Sequence, residues 1–264
     1  MISVRDVAVT FMRGTPNEMQ ALRGVTLSLA QEEFVTVIGS NGAGKSTLLN
    51  AIAGDVSVTA GTISIDDKDT TLQGAHGRAP HVARVFQDPM AGTCGSLSIE
   101  ENLALAARRG QRRTMRSALR TSEKATFRER LAKLGLGLER RLEDRVGLLS
   151  GGQRQAVSLL MATLAPSRIL LLDEHSAALD PQASATVLSL TDQFVRELKL
   201  TTLMITHSMR DALAYGNRIV MLHQGRIIFE ASGAEKAKLQ VPDLLERFAK
   251  LGSTAADNDR LLLN

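Results

Sequence analysis

The chain has 264 residues, 44% of them apolar, with 32 Lys and Arg against 28 Asp and Glu for a net charge of +4. That composition can bury a sizeable core, which excludes a disordered chain. One cysteine, Cys94, excludes an intrachain disulfide framework and suits a reducing compartment, and the lack of tryptophan with a single tyrosine, Tyr215, argues against an aromatic platform for single-stranded nucleic acid.

Residues 2–10 alternate apolar and polar positions (Ile2, Val4, Val7, Val9) and predict a strand, and residues 25–30 repeat the pattern. Phe34 to Ile38 is a short apolar run ending at Gly39, as a buried parallel strand requires. A Gly-rich loop leads into helical spacing from Ser46 to Ala53, with Gly54 as the stop. Gly61 to Ile65 predicts a strand, residues 70–81 a loop, and Val82 to Gln87 a strand closed by Asp88-Pro89. The pattern is helical from Ile99 to Leu138 and again from Gly151 to about Leu164. Ile169 to Leu172 is another buried strand; residues 182–198 are helical; a strand (Leu203 to Thr206), a helix (Met209 to Ala214) and a strand (Ile219 to Leu222) follow. Gly225 then turns the chain into Ile227 to Phe229 as a hairpin. Strands alternating with helices imply an α/β fold with a largely parallel sheet. The helical stretch after Gln87 interrupts the alternation and reads as an inserted subdomain.

The longest apolar stretches are about ten residues, half of what a spanning helix needs, so no membrane crossing is expected. The N-terminus shows no basic region followed by an apolar run, so no secretory signal is expected either. Charge is unevenly spread: residues 1–107 sum to −4, residues 146–264 to zero, and residues 108–145 to +8.

Residues 39–46 read Gly-Ser-Asn-Gly-Ala-Gly-Lys-Ser, a full match to the phosphate-binding pattern G-x-x-x-x-G-K-[ST]. Its glycines let backbone N–H groups turn toward phosphate oxygens, Lys45 can reach the β- and γ-phosphates, and the Ser46 hydroxyl can ligate Mg²⁺. Four further features follow in order. Gln87 ends a strand, residues 149–153 read Leu-Ser-Gly-Gly-Gln, a buried strand ends in Asp173-Glu174, and His207 follows the strand Leu203 to Thr206.

In this order and these contexts, the sequence resembles the ATP-binding cassette (ABC) ATPases from Ile2 to about Phe248. The loop Gly39, Ser40, Asn41, Gly42, Ala43, Gly44, Lys45, Ser46 and Thr47 looks like the Walker A motif. Gln87 looks like the Q-loop glutamine, and Leu149 to Gln153 like the family signature. Asp173 and Glu174 look like the Walker B aspartate and the catalytic glutamate, Ala177 to Asp180 like the D-loop, His207 like the switch histidine, and Phe11 like the aromatic that stacks on adenine. The resemblance implies a P-loop NTPase (RecA-like) core with a mostly parallel sheet, an antiparallel β subdomain and an inserted α-helical subdomain. All of 1–264 would be one cassette: 1–87 and 166–248 the catalytic core with the β subdomain, 88–165 the helical subdomain, and 249–264 a loose tail.

The resemblance also implies a mechanism. Two copies face head to tail, and Ser150, Gly151, Gly152 and Gln153 of one cover ATP held by the other. Glu174 orients the attacking water, Lys45 and Mg²⁺ supply charge, and Ser46, Asp173 and Gln87 serve the metal or its water. His207 binds the γ-phosphate and orients Glu174, and Asp180 acts across the dimer. The implied partners are a separate integral membrane permease and, indirectly, a substrate-binding protein, with the cassette peripheral on the cytoplasmic face of the inner membrane. No nucleic-acid partner is expected. Two positions depart from the common pattern: His175 stands where proline is usual, and Ala177 where the D-loop often has serine.

Gly14 to Leu22, Gly92 to Ser96 and Glu174 to Pro181 resemble a narrower bacterial set of free-standing importer cassettes, some of them associated with aromatic amino-acid uptake. The arginine-rich segment 108–145 has three readings: a solvated helical surface, contact with a membrane surface or an acidic permease loop, or nucleic-acid binding on basicity alone. The competing function class is a soluble cassette working on nucleic acid or ribosomes. Against it, about sixty residues between Gln87 and the signature are too few for the long coiled coil of DNA-repair relatives, and only one cassette is present.

Overall fold

A computed structural model describes residues 1–111 and 121–250. In chain order its elements begin with β1 (Ile2–Phe11), β2 (Met19–Leu29), β3 (Phe34–Gly39), α1 (Lys45–Ala53), β4 (Ala60–Ile65), β5 (Lys68–Asp69) and α2 (Ala75–Arg78). Next come β6 (Val82–Val85), α3 (Pro89–Gly92), α4 (Ile99–Ala106), α5 (Thr121–Ala132), α6 (Gly151–Leu164), β7 (Ile169–Asp173) and α7 (Pro181–Glu197). The chain closes with β8 (Thr202–Ile205), α8 (Met209–Ala214), β9 (Arg218–His223), β10 (Arg226–Ser232), α9 (Gly233–Lys238) and α10 (Val241–Ala249). These elements form two compact units, Met1–Arg78 with Leu200 onward, and Ala79–Lys199. The expected boundaries of the helical insertion, 88 and 165, both fall inside the second unit.

The first unit contains the antiparallel sheet expected of the β subdomain, in the order β2-β1-β4-β5. It also contains β10-β9-β3-β8, in which β3 runs parallel to both β8 and β9, and β10 turns back antiparallel on β9. All six residues of β3 are buried, which is why its sequence is nearly all apolar rather than alternating, and its one polar side chain, Thr36, donates to the Ala212 carbonyl. Behind β3 and β9, Met209, Ala212, Leu244 and Phe248 pack with Ile38, Ile219 and Met221 into one apolar cluster. The second unit holds the parallel pair β6-β7 and most of the helices.

Three local expectations differ from the structure. β2 begins at Met19 rather than near residue 25, because register shifts between Val7 and Ala8 and between Val9 and Thr10 break the two-residue period of the β1–β2 ladder. The predicted loop 70–81 contains the short helix α2. β6 stops at Val85, two residues before Gln87.

The helical reading of 99–138 resolves into α4 and α5 among the described residues. The arginine-rich segment is not one exposed face. Arg108 pairs with Glu123 at 2.9 Å and donates to the Ala104 carbonyl, and Arg141 pairs with Asp144 at 2.7 Å. Arg109 donates to the carbonyls of Ala162, Ala165 and Pro166, closing the C-terminal end of α6, whose last carbonyls have no intrahelical donors. Arg128, Arg130, Arg140 and Arg145 are exposed. Arg112, Arg113, Arg116 and Arg120, like the tail expected from 249 onward beyond Lys250, lie outside the described residues.

Lys236 of α9 donates to the carbonyls of Tyr215 and Gly216 and is buried, which pushes its pKa down to about 8 from 10.5. Between those two values the unfolded chain binds the proton and the folded chain releases it, so folding gains stability as pH rises. Urea denaturation should show wild type gaining on Lys236→Met between about pH 8 and about pH 10.

Candidate functional site

The first unit presents the phosphate loop. β3 delivers the chain to Gly39, and α1 starts at Lys45. A side chain at Gly39 would sit 2.4 Å from the Leu222 carbonyl oxygen, so the strand-to-loop exit admits none. The loop closes on itself: Ala43 N–H donates to the Ser40 carbonyl, and the buried Lys45 ammonium donates to the carbonyls of Gly39 at 2.7 Å and Ser40 at 3.1 Å. Gly44 caps α1 with φ 100° and no side-chain hydrogen bond. No side chain caps the start of α1, an arrangement that suits an anion at the positive end of the helix dipole. Asn41, Gly42 and Ser46 are exposed at this end, and Ser40 and Thr47 half-buried.

Gly44 and Gly42 both need positive φ but differ in surroundings. A β-carbon at Gly44 would lie 2.5 Å from the Ala21 carbonyl oxygen and 2.9 Å from Leu22 Cδ2, whereas at Gly42 nothing lies within 4 Å. Gly44→Ala should therefore cost roughly 1–3 kcal/mol and weaken nucleotide binding, and Gly42→Ala should cost less on both counts. Denaturant midpoints and nucleotide titration of the two variants check this.

Phe11 and His207 also belong to the first unit. Phe11 ends β1, half-buried, opposite Met19 on β2. His207 lies two residues past β8, where Thr206 N–H donates to the Val37 carbonyl and Ser208 N–H to the Thr206 hydroxyl. These bonds fix the peptide on either side of the imidazole.

The second unit presents the carboxylates and the signature. β7 ends at Asp173, whose carboxylate accepts from the Arg84 guanidinium of β6 at 2.8 Å, and the same guanidinium stacks 4.5 Å over the Phe86 ring. Glu174 follows, 9% exposed and with φ 46°. His175 is buried, its Nε2 2.9 Å from the Thr191 hydroxyl of α7, and burial pushes its pKa down to about 4, so the imidazole is neutral near pH 7. Gln87 is exposed in the bend beyond β6, beside Asp88, which caps α3.

Ser150 caps α6 in a reciprocal box: its hydroxyl accepts from Gln153 N–H at 3.3 Å and its N–H donates to Gln153 Oε1 at 3.2 Å. That use consumes a lone pair of the hydroxyl and leaves its proton for an acceptor outside the helix. Gly151 is exposed, and a side chain at Gly152 would meet Ala183 at 2.7 Å, so the start of α6 can lie tight on α7 only with glycine there. Asp180 caps α7 by accepting from Ala183 N–H at 3.0 Å.

The structure thus gathers the loop 39–47, Phe11 and His207 in the first unit, and Gln87, Ser150 to Gln153, Asp173, Glu174 and Asp180 in the second. Sequence reading missed Arg84 and Thr191. Each carried a signal: an arginine inside the buried strand Val82–Val85, and a threonine on the apolar stripe of α7 with Val187, Leu188, Phe194 and Val195.

A family model described as ABC transporter matches residues 22–177. This chain belongs to the ABC transporter family. It is similar to the "Tyrosine transport ATP-binding protein" of Clostridioides difficile, 42% identical over 94% of this chain and 98% of that one. It is also similar to the "Thiamine import ATP-binding protein ThiQ" of Salmonella choleraesuis, 35% identical over 80% of this chain and 84% of that one. Among solved structures, a dimeric post-hydrolysis state of the ATP-binding cassette MJ0796, bound to ADP and Pi, matches with a TM-score of 0.75 and 28% identity, over 88% of this chain and 98% of that one. The fold is that of the ABC cassette, with a mostly parallel sheet, an antiparallel sheet and helices as expected, and the ABC chain described here is an ATPase.

Proposed function

We propose that this cassette hydrolyses ATP to energise a separate integral membrane permease that takes up a small solute, an amino acid of the aromatic class. The observation that carries the reading is the 42% identity, over nearly the whole of both chains, to a tyrosine transport ATP-binding protein, in a chain that keeps Lys45, Asp173, Glu174 and His207. Other similar proteins are named as import subunits for thiamine and phosphonates, which supports uptake rather than nucleic-acid or ribosome-linked work.

The chemistry of each group supports its role. Phosphoryl transfer to water needs positioning and charge neutralisation more than covalent chemistry. The loop N–H groups and the Lys45 ammonium hold the phosphates, Phe11 offers a ring face to adenine, and Glu174 orients and polarises the attacking water. His207 hydrogen-bonds the γ-phosphate and orients Glu174, and Gln87 touches Mg²⁺ or the water and reports nucleotide state to the helical part. Ser46 and Asp173 offer the hard oxygen donors that Mg²⁺ takes in ones and twos beside phosphates, and Asp173 already presents its carboxylate to a cation, Arg84. Bound there, Mg²⁺ supplies neutralisation of phosphate charge.

Two copies act together, head to tail. The Ser150 proton and the open start of α6 at Gly151, Gly152 and Gln153 face the ATP of the other copy, and Asp180 completes that interface. The dimeric cassette of 28% identity with bound ADP and Pi supports this arrangement. The helical part within 88–165 docks the permease, with its exposed arginines toward the membrane surface, and a substrate-binding protein delivers the solute to the permease. No helix among the described residues is long and apolar enough to cross a membrane, and the cassette works as a peripheral subunit on the cytoplasmic face.

The test is uptake of labelled tyrosine by cells with and without this chain, alongside ATPase turnover of the chain alone and with its co-purified permease. Loss of uptake on deletion and stimulation by the permease are expected. Unaltered uptake of every aromatic amino acid would refute the substrate class, and failure of any permease to co-purify would refute the coupling.

A further inference from the structure

His175 is an unusual residue to find beside a hydrolytic carboxylate. It is 2% exposed and has no charged partner among the described residues, and its side chain reaches into α7, 16 residues further on, where Nε2 lies 2.9 Å from the Thr191 hydroxyl. Thr191 is 1% exposed and its own hydroxyl donates to the Val187 carbonyl at 2.8 Å, one turn back along α7. A hydroxyl has one proton. Since that proton is committed to Val187, the contact with His175 must be donated by the imidazole. The ring is therefore the Nε2–H tautomer, and the hydrogen-bond chain runs in one direction, from His175 to Thr191 to the α7 backbone.

The residue preceding this anchor is the one whose backbone needs holding. Glu174 has φ 46°, the left-handed region that a side chain with a β-carbon seldom adopts and that persists only where surroundings enforce it. Its carbonyl accepts from Ala177 N–H at 3.0 Å, so the chain reverses immediately after β7. The turn is thus pinned on one side by the buried strand β7 and on the other by the imidazole locked to α7. If the His175 side chain were released, the peptide between residues 174 and 175 could rotate toward ordinary negative φ, and the Glu174 carboxylate would swing with it.

We infer that His175 and Thr191 are positioning residues for Glu174: the buried hydrogen bond between them holds the left-handed turn that aims the carboxylate. This rests on the reading of Glu174 as the carboxylate that orients the attacking water. Neither His175 nor Thr191 touches ATP. Their effect falls on the rate of the chemical step and not on nucleotide affinity.

The experiment uses the full-length chain and five variants: Thr191→Val, which keeps the shape and removes the acceptor; Thr191→Ser, which keeps the acceptor; His175→Gln, whose amide places a donor near the Nε2 position; His175→Leu; and Glu174→Gln. Turnover number, KM for ATP and nucleotide affinity are measured for each, and the ¹⁵N signals of the His175 ring are recorded for wild type and the Thr191 variants. Thr191→Val and His175→Leu should lower kcat about tenfold to a hundredfold, as misplacement of a reacting group does, with KM and affinity within about twofold. Thr191→Ser and His175→Gln should retain most of the rate. The ring should show the Nε2–H tautomer in wild type and Thr191→Ser and lose that signature in Thr191→Val. Where one of the truncated variants does not fold, the comparison within the other pair decides. Full turnover in Thr191→Val or His175→Leu, with Glu174→Gln inactive, would overturn the inference alone. Full turnover in Glu174→Gln would overturn the role of Glu174 and the inference with it.

Discussion

Replacing Glu174 with glutamine is expected to slow ATP hydrolysis by about 10²–10⁴-fold, the range that removal of a general base costs, while ATP binding persists. Glutamine keeps the volume and the carbonyl oxygen of the side chain but cannot accept a proton or carry the charge that polarises a water. The surroundings leave little room for substitution by another group: Glu174 is 9% exposed and follows the fully buried residues 169–172 of β7. Because the loop 39–47 proposed to hold the phosphates, Lys45 included, belongs to different elements from Glu174, the nucleotide affinity should change by less than about twofold. Single-turnover release of phosphate from ATP, with equilibrium nucleotide binding on the same preparation, separates the two effects. Unchanged single-turnover rates would remove Glu174 from the chemistry.

The second large effect concerns folding. Arg78 is 1% exposed, and its guanidinium donates to four carbonyls: Ala51 at 2.6 Å, Ile52 at 2.8 Å, Thr70 at 2.7 Å and Thr71 at 3.2 Å. Two of these lie in the last turn of α1, where Ala51 also accepts from the Gly54 N–H, and two belong to the loop after β5, where Thr70 also accepts from the Gln73 N–H. Burial pushes the pKa of this arginine below its ordinary value, and the fork of acceptors is what keeps the charged group tolerable there. Arg78→Met keeps much of the hydrocarbon volume and removes this donor from the Ile52 and Thr71 carbonyls, while Ala51 and Thr70 keep the N–H groups of Gly54 and Gln73, at a cost of about 2–5 kcal/mol for the acceptors left without a donor. Arg78→Lys should fall between, since an ammonium is a point donor and cannot span both pairs. The denaturant midpoint reads the loss; a drop of under about 1 kcal/mol would mean that water replaces the guanidinium.

These two residues differ in how visible they are in the sequence. The whole phosphate loop lies within nine consecutive residues and is exposed by its spacing, and Glu174, beside Asp173 at the end of a buried apolar run, stands out once the motifs are taken in order and the family resemblance is added. The buried parallel strands β3, β7 and β8 and the helices α1, α6 and α7 were legible for the same reason: each signal is local. Arg78 fell in a stretch that Gly74, Gly77 and Pro80 mark as loop, and nothing nearby reveals that its partners are carbonyls 26 and 27 residues earlier. Arg84 and Asp173 are 89 residues apart, and their pairing depends on the register of β6 against β7. The arginine-rich segment misled in the same way. Arg109 looks like surface charge until its acceptors, more than fifty residues away at the end of α6, are known.

Gln155 of α6 is fully buried, and its Nε2 donates to the Phe86 carbonyl at 3.0 Å. Gln153, two residues before it, closes the cap around Ser150, and Phe86 is the residue before Gln87. The helix therefore works as a crank. Its N-terminal end carries the Ser150 cap, and its second turn grips the Phe86 peptide, one residue before Gln87. Rotating or tilting α6 without moving Phe86 would require breaking a buried bond. The cap at Ser150 and the backbone just before Gln87 are thus held by one helix through a single buried bond.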